Sequence, residues 1–135
     1  MKEGLVIEFR LLGNSGVSPY QQIVQQVKSA LRLGRLRVGD QLPTVKEVVG
    51  AIAINPNTVL KAYRELEHEG LVAARPGIGT FVVNSFDETT YAAQRTLRRS
   101  LEVWIEKARR AGLDDESIEA LFVDTFLFSP KEVVR

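Results

Sequence analysis

Leu42-Pro43-Thr44-Val45-Lys46-Glu47 opens the stretch whose reading decides the fold, and Thr80-Phe81-Val82 closes it. Between them run Ile54-Asn55-Pro56-Asn57-Thr58-Val59, then Lys61-Ala62-Tyr63-Arg64-Glu65-Leu66-Glu67-His68-Glu69-Gly70-Leu71, then Arg75-Pro76-Gly77-Ile78-Gly79. Thr44-x-x-Glu47 is a capping box, in which the hydroxyl takes an N–H near the helix start and the carboxylate reaches back. It predicts a helix from Thr44 to Gly50 or beyond, with Val45, Val48, Val49 and Ile52 on the buried face. Asn55 caps the next helix, and Pro56 sits where its missing N–H costs nothing. Val59, Ala62, Tyr63 and Leu66 recur at helical spacing and face a core. Gly70 ends that helix. Leu71–Ala74 and Thr80–Val83 are β-prone, and the glycines between them free the tip for positive φ. The stretch therefore predicts helix, turn, helix and two-stranded wing.

Working outward toward the N-terminus, Ser18-Pro19 starts a helix, with Ile23, Val27, Ala30 and Leu31 in helical period and Gly34 at its end. Leu36, Val38 and Gly39 form the turn into the central stretch. Leu5-Val6-Ile7-Glu8-Phe9 is a short predicted strand, followed by a loop over Leu12–Ser18. Toward the C-terminus, Glu88–Ala111 is one long helix, with Gly112 after it. Asp114 or Asp115 starts a second helix that ends before Pro130, and Lys131–Arg135 is a frayed end. The fold class is thus mostly α with a small β wing. Its domains are a winged helix-turn-helix over residues 10–84 and a two-helix tail over residues 87–130.

Composition narrows the function classes. The 135-residue chain has no Cys and one His, which excludes disulfides, thiolate sites and a His-based metal centre. It shows no Gly-rich phosphate loop after a strand and no nucleophile–base set, so no enzyme, cofactor or metal is expected. Its start does not read as a signal peptide, and no run approaches the ~18 apolar residues of a membrane span, so the expected location is cytoplasmic. Residues 1–85 carry ten Lys/Arg against seven Asp/Glu, and residues 86–135 carry eight against ten. The front is mildly basic, although a local patch decides DNA affinity more than net charge does.

A helix fits the major groove and presents its N-terminal residues to base edges. Asn55, Pro56, Asn57 and Thr58 occupy that end here. Asn can pair bidentately with adenine, a Thr methyl can touch thymine, and Lys61 and Arg64 suit phosphate or guanine. Lys46 suits phosphate or base, and Arg75-Pro76-Gly77 has the shape for a minor-groove approach. Singly, each of these is an ordinary solvated residue, Tyr20 and Tyr63 are packing residues, and His68 has no assigned role. The order and spacing of the whole set carry the reading. A winged-helix module for protein contact is the alternative, and a salt-dependent affinity for duplex DNA separates the two.

Pro19-Tyr20-x-Gln22-Ile23, Gly34-x-Leu36-x-x-Gly39-x-x-Leu42-Pro43-Thr44, Thr58-Val59-x-Lys61-Ala62-Tyr63, Leu66-Glu67-x-Glu69-Gly70-Leu71-Val72 and Gly77-x-Gly79-Thr80-Phe81-Val82 together resemble the GntR family of bacterial winged helix-turn-helix regulators. The resemblance covers residues 10–84. Ile54-Asn55-Pro56-Asn57-Thr58-Val59, with a tail of only two helices, resembles the short-tailed YtrA-type subfamily. The resemblance implies a homodimeric repressor on a pseudo-palindromic operator, controlling in many members an ABC transporter operon. It also implies DNA contacts at Asn57, Thr58 and Gly77, and at Lys46, where Lys replaces the usual Arg and favours phosphate. Two helices cannot bury both their apolar faces alone; they need the front domain or another chain. Tyr91, Leu97, Leu101, Trp104, Ile105, Ile118, Leu121, Phe122 and Phe126 are therefore read as a dimerisation face. A tail of this length leaves little room for an enclosed ligand cavity of ~300 Å³. Any effector is expected at the dimer interface or in a groove against the wing, and its identity is unknown.

Overall fold

The computed structural model describes residues 7–13, 16–86 and 88–130. Helices α1 (Pro19–Arg32), α2 (Val45–Ile52) and α3 (Pro56–His68) precede the hairpin β1 (Val72–Arg75) and β2 (Gly79–Val82). Helices α4 (Tyr91–Arg110) and α5 (Asp115–Phe128) follow. The chain divides into two compact units, residues 1–91 and 92–135. The architecture is the expected winged helix-turn-helix with a helical C-terminal region. Among the described residues, no helix is long and apolar enough to cross a membrane.

The first unit is built around the inner faces of three helices. Ile23, Val27 and Leu31 of α1, Val48 of α2, and Val59, Ala62, Tyr63 and Leu66 of α3 are buried together with Leu36, Leu42, Val72 and Val82. α2 begins with the expected capping box: Glu47 N–H donates to Thr44 Oγ1 at 3.1 Å, and Thr44 N–H donates to Glu47 Oε1 at 2.9 Å. The cap compensates for a β-branched sequence with weak intrinsic helix propensity. α1 and α3 both end in a Schellman turn. Arg35 N–H reaches Ala30 O across Gly34, and Leu71 N–H reaches Leu66 O across Gly70, with both glycines at positive φ. Ala53 ends α2 at φ +53, the left-handed region, without being glycine. Ser18 is the N-cap of α1, as expected, but its side chain makes no cap bond. The first turn relies on Pro19, whose ring sets a helical φ in advance.

Several details depart from the sequence reading. The predicted strand Leu5–Phe9 is not a strand over Ile7–Phe9, and Leu5 and Val6 lie outside the described residues. Ile7 and Phe9 are buried in the core, and just beyond them two glutamine side chains of α1 bond the backbone. Gln26 bonds both the N–H and the C=O of Arg10. Gln22, itself buried, accepts from Leu12 N–H at 2.8 Å and donates to Leu12 O and Val17 O. The hairpin lies one residue off the prediction at each strand, with Val72 opposite Val82 and Arg75 opposite Gly79. It also has a third edge: Gln41 bridges Phe81, Leu42 N–H donates to Thr80 O, and Val82 N–H donates to Asp40 O.

Helix α4 starts at Tyr91, the last residue of the first unit, rather than at Glu88, and closes on a Schellman turn at Gly112, with Leu113 N–H on Ala108 O. Asp114 caps α5 by accepting from Ser117 N–H at 2.8 Å, and its carboxyl pKa is lowered by hydrogen bonding with Ser117, through the side chain first and then the backbone N–H. Ala108 and Ile118 are the second unit's buried apolar residues. Phe122 and Phe126 stack on each other with ring centroids 6.2 Å apart. Lys131–Arg135 lies outside the described residues.

Candidate nucleic-acid interface

The candidate surface starts at the turn between α2 and α3. Asn55 Oδ1 accepts from Asn57 N–H at 2.7 Å, so this side chain serves first to start the helix. Pro56 occupies the first turn. With the core side of α3 fixed by Val59, Ala62, Tyr63 and Leu66, helical geometry puts Asn57, Lys61 and Arg64 in one outward stripe. All three are exposed, while Thr58 sits at the margin and is half-buried. Arg64 borders two depressions. One is shared with Asn57, Lys61 and His68; the other is shared with Thr44, Val45, Gly79 and Thr80 on the wing side.

Lys46 is exposed in the first turn of α2. The relation of α2 to α3 is fixed by Tyr63, whose buried hydroxyl donates to Pro43 O at 2.6 Å. Burial first, and then the nearby Glu47 carboxylate, hold that phenol well above its ordinary pKa, so it stays a neutral donor. The wing presents exposed Arg75, Pro76, Gly77 and Ile78. Gly77 takes φ +77 and Gly79 takes φ +147, which the tip requires. Gln41 supports this tip by donating from Nε2 to Ile78 O at 3.1 Å. A Cβ on Gly79 would collide with the same amide.

The structure thus groups Asn57, Lys61 and Arg64 on α3, sets Lys46 on the neighbouring helix and places Arg75 and Gly77 on the wing. Two of these cations lie on aromatic rings: Lys61 Nζ is 4.1 Å from the Tyr20 ring centroid and the Arg75 guanidinium carbon is 4.8 Å from that of Phe81. Sequence reasoning did not find Gln41, which pairs with residues nearly forty positions away. Leu60 is exposed on α3, and so is His68, which the sequence reading left without a role. Among the described residues, no group of three or more His, Cys, Asp or Glu side chains could hold a metal ion.

The proposed tail face is mixed in exposure. Leu97, Leu101, Leu121, Phe122 and Phe126 are exposed, Trp104 and Ile105 are half-buried, and Ile118 is buried. Tyr91 is committed within the first unit. Its hydroxyl donates to Leu31 O at 2.9 Å, and its ring lies where a Cβ on Gly34 would press at 3.1 Å.

Residues 19–82 match the family described as bacterial regulatory proteins, gntR family. The HTH-type transcriptional repressor YtrA of Bacillus subtilis is 38% identical over 100 residues, 73% of this chain and 77% of the relative. The HTH-type transcriptional regulator Rv1152 of Mycobacterium tuberculosis is 35% identical over 99 residues, 73% of this chain and 78% of the relative. A crystal structure of a transcriptional antiterminator from Listeria monocytogenes EGD-e superposes with TM-score 0.57 at 30% identity, covering 96% of this chain and 98% of that one. YtrA from Sulfolobus acidocaldarius, a GntR-family transcription factor, gives TM-score 0.53 at 26% identity, covering 76% of this chain and 97% of that one.

Proposed function

Because the chain belongs to the GntR family of bacterial transcription regulators, we propose that it is a homodimeric repressor binding a pseudo-palindromic operator in duplex DNA. The observation that carries this reading is the exposed stripe Asn57, Lys61 and Arg64 on α3, accompanied by Lys46 and the Arg75–Gly77 wing tip. Asn57 stands where a recognition helix reads base edges, and the cations suit the phosphates on either side. The repressor sense rests on the name of the Bacillus subtilis relative. The dimer rests on the apolar residues that α4 and α5 leave exposed, and residues 10–84 and 87–130 are the corresponding functional divisions. The protein works in the cytoplasm, where the chromosome is. The regulated unit is an ABC transporter operon, as the subfamily resemblance implies. An effector would act at the dimer interface or in the groove between α3 and the wing.

The test is a titration against duplex DNA from the promoter of the protein's own operon, with footprinting. Two protected half-sites about one helical turn, roughly 10 bp, apart are expected, with affinity falling as salt rises. Affinity that does not respond to salt would favour a protein-contact module instead.

A further inference from the structure

Lys61 was open to two assignments on sequence alone, phosphate or guanine. We propose that Tyr20 of α1 is a positioning residue that seats Lys61 as a phosphate clamp on the α1 flank of the recognition helix, a proposal that rests on the DNA-binding reading above. Tyr20 lies in the first turn of α1, half-buried and packed against the core, so its ring is held from behind. Lys61 Nζ stands 4.1 Å from the ring centroid. A cation is drawn to the face of an aromatic ring, and the ammonium N–H groups directed away from that face stay free to donate. Four cation–ring contacts occur among the described residues, and this one alone involves a cation from α3.

The consequence is directional. A free lysine samples many rotamers and must lose that freedom on binding; one seated on a ring has lost part of it beforehand. The seat draws the charge toward α1, away from the stripe's midline. An ammonium also lacks the planar fork that pairs with guanine and acts on phosphate as a point charge. Base reading on this stripe then falls to Asn57 and Arg64, and Lys61 sets affinity without setting sequence.

The test compares Tyr20→Phe, Tyr20→Leu, Lys61→Ala and the double variant Tyr20→Leu/Lys61→Ala on operator and scrambled duplexes across a salt series. Tyr20→Leu is expected to weaken both duplexes about two- to fivefold, whereas Tyr20→Phe keeps the ring and binds as wild type does. Lys61→Ala should lower the salt slope by about one. On that background, Tyr20→Leu should have no further effect on binding. In the free protein, NMR should show the Lys61 terminal methylenes shifted upfield by the ring, and that shift should vanish in Tyr20→Leu but persist in Tyr20→Phe. The proposal is overturned if Tyr20→Leu costs as much with Lys61 removed, if its loss is confined to the operator, or if the methylene shift survives it. Wild-type binding separates the two readings. Salt-dependent wild-type affinity with Tyr20→Leu unchanged removes only the seat; a wild type without affinity for duplex DNA removes both.

Discussion

The two units treat their apolar residues in opposite ways. In the first, eight large apolar side chains at 0–1% exposure, among them Ile23, Leu31 and Leu66, close a core around three short helices. In the second, α4 and α5 have 34 residues between them, yet Ala108 and Ile118 are their buried ones. Leu97 is 65% exposed, Phe126 71% and Phe128 77%. After Asp124, α5 is Thr125-Phe126-Leu127-Phe128, with no charge on any side. A helix apolar all round is ordinarily a buried one. The first unit accounts for its own stability from its own residues. The end of α5 has the composition of an interior and the exposure of a surface, and the proposed dimer resolves that mismatch.

The contrast can be broken by mutation. Placing a charge in the tail at Phe122→Glu should have the largest effect. An unpaired charge in a closed apolar interface costs about 3–5 kcal/mol, a hundredfold or more in the dimer constant. Sedimentation should show monomer at micromolar concentration while the first unit stays folded; a dimer unchanged in constant would refute the tail interface. In the first unit, Leu66→Ala opens a cavity at a fully buried site and should cost about 2–5 kcal/mol by denaturant melting at any protein concentration. A cost that depends on concentration would mean that the first unit also leans on its partner.

Smaller effects sharpen the comparison. Ala53 holds φ +53 on an exposed turn, a conformation that costs a side-chain-bearing residue roughly 1–2 kcal/mol. Glycine relieves it but adds freedom to the unfolded chain, so Ala53→Gly should stabilise by about 0.5–1 kcal/mol net. A loss of stability would show that the methyl matters more than the backbone. The smallest effect is electrostatic. The Lys28 ammonium, 2.6 Å from Glu69, bonds to that carboxylate and lowers its pKa from 4.5. A lowered folded pKa adds stability that is complete above about pH 4.5 and is lost as pH falls through the folded value. The pair is partly exposed, so Glu69→Gln should cost at most ~1 kcal/mol at neutral pH and flatten the acid limb of the melting curve. An acid limb unchanged by the substitution would remove the pair from the balance.

Legibility followed how local the determinants were. The capping box at Thr44, the Asn55-Pro56 start and the four buried positions of α3 are set by residues within a few positions of one another, and they were readable. The predicted strand over Leu5–Phe9 failed over its described part, and just beyond it the backbone of Arg10 and Leu12 bonds two glutamine side chains, which no strand pattern announces. Gln41 in the wing and Leu36 in the core depend on pairings or packing that a local pattern does not encode. In the candidate site, residue types and stripe were legible from helical spacing. Which side chains are already engaged was not: Asn55 in its cap, Lys61 on Tyr20 and Arg75 on Phe81 are facts of three dimensions.

The glutamines of α1 have a bearing on colloidal behaviour. Ile7 to Leu12 is an apolar-rich run outside any helix or strand, the kind of segment that recruits another chain edge to edge when its amides are vacant. Gln26 occupies both backbone groups of Arg10, and Gln22 both of Leu12. Two side chains thereby insulate a sticky ribbon that a neighbouring strand would otherwise have to cover. A regulator that concentrates along DNA meets copies of itself at high local density, and these bonds keep the backbone groups of Arg10 and Leu12 from pairing with them.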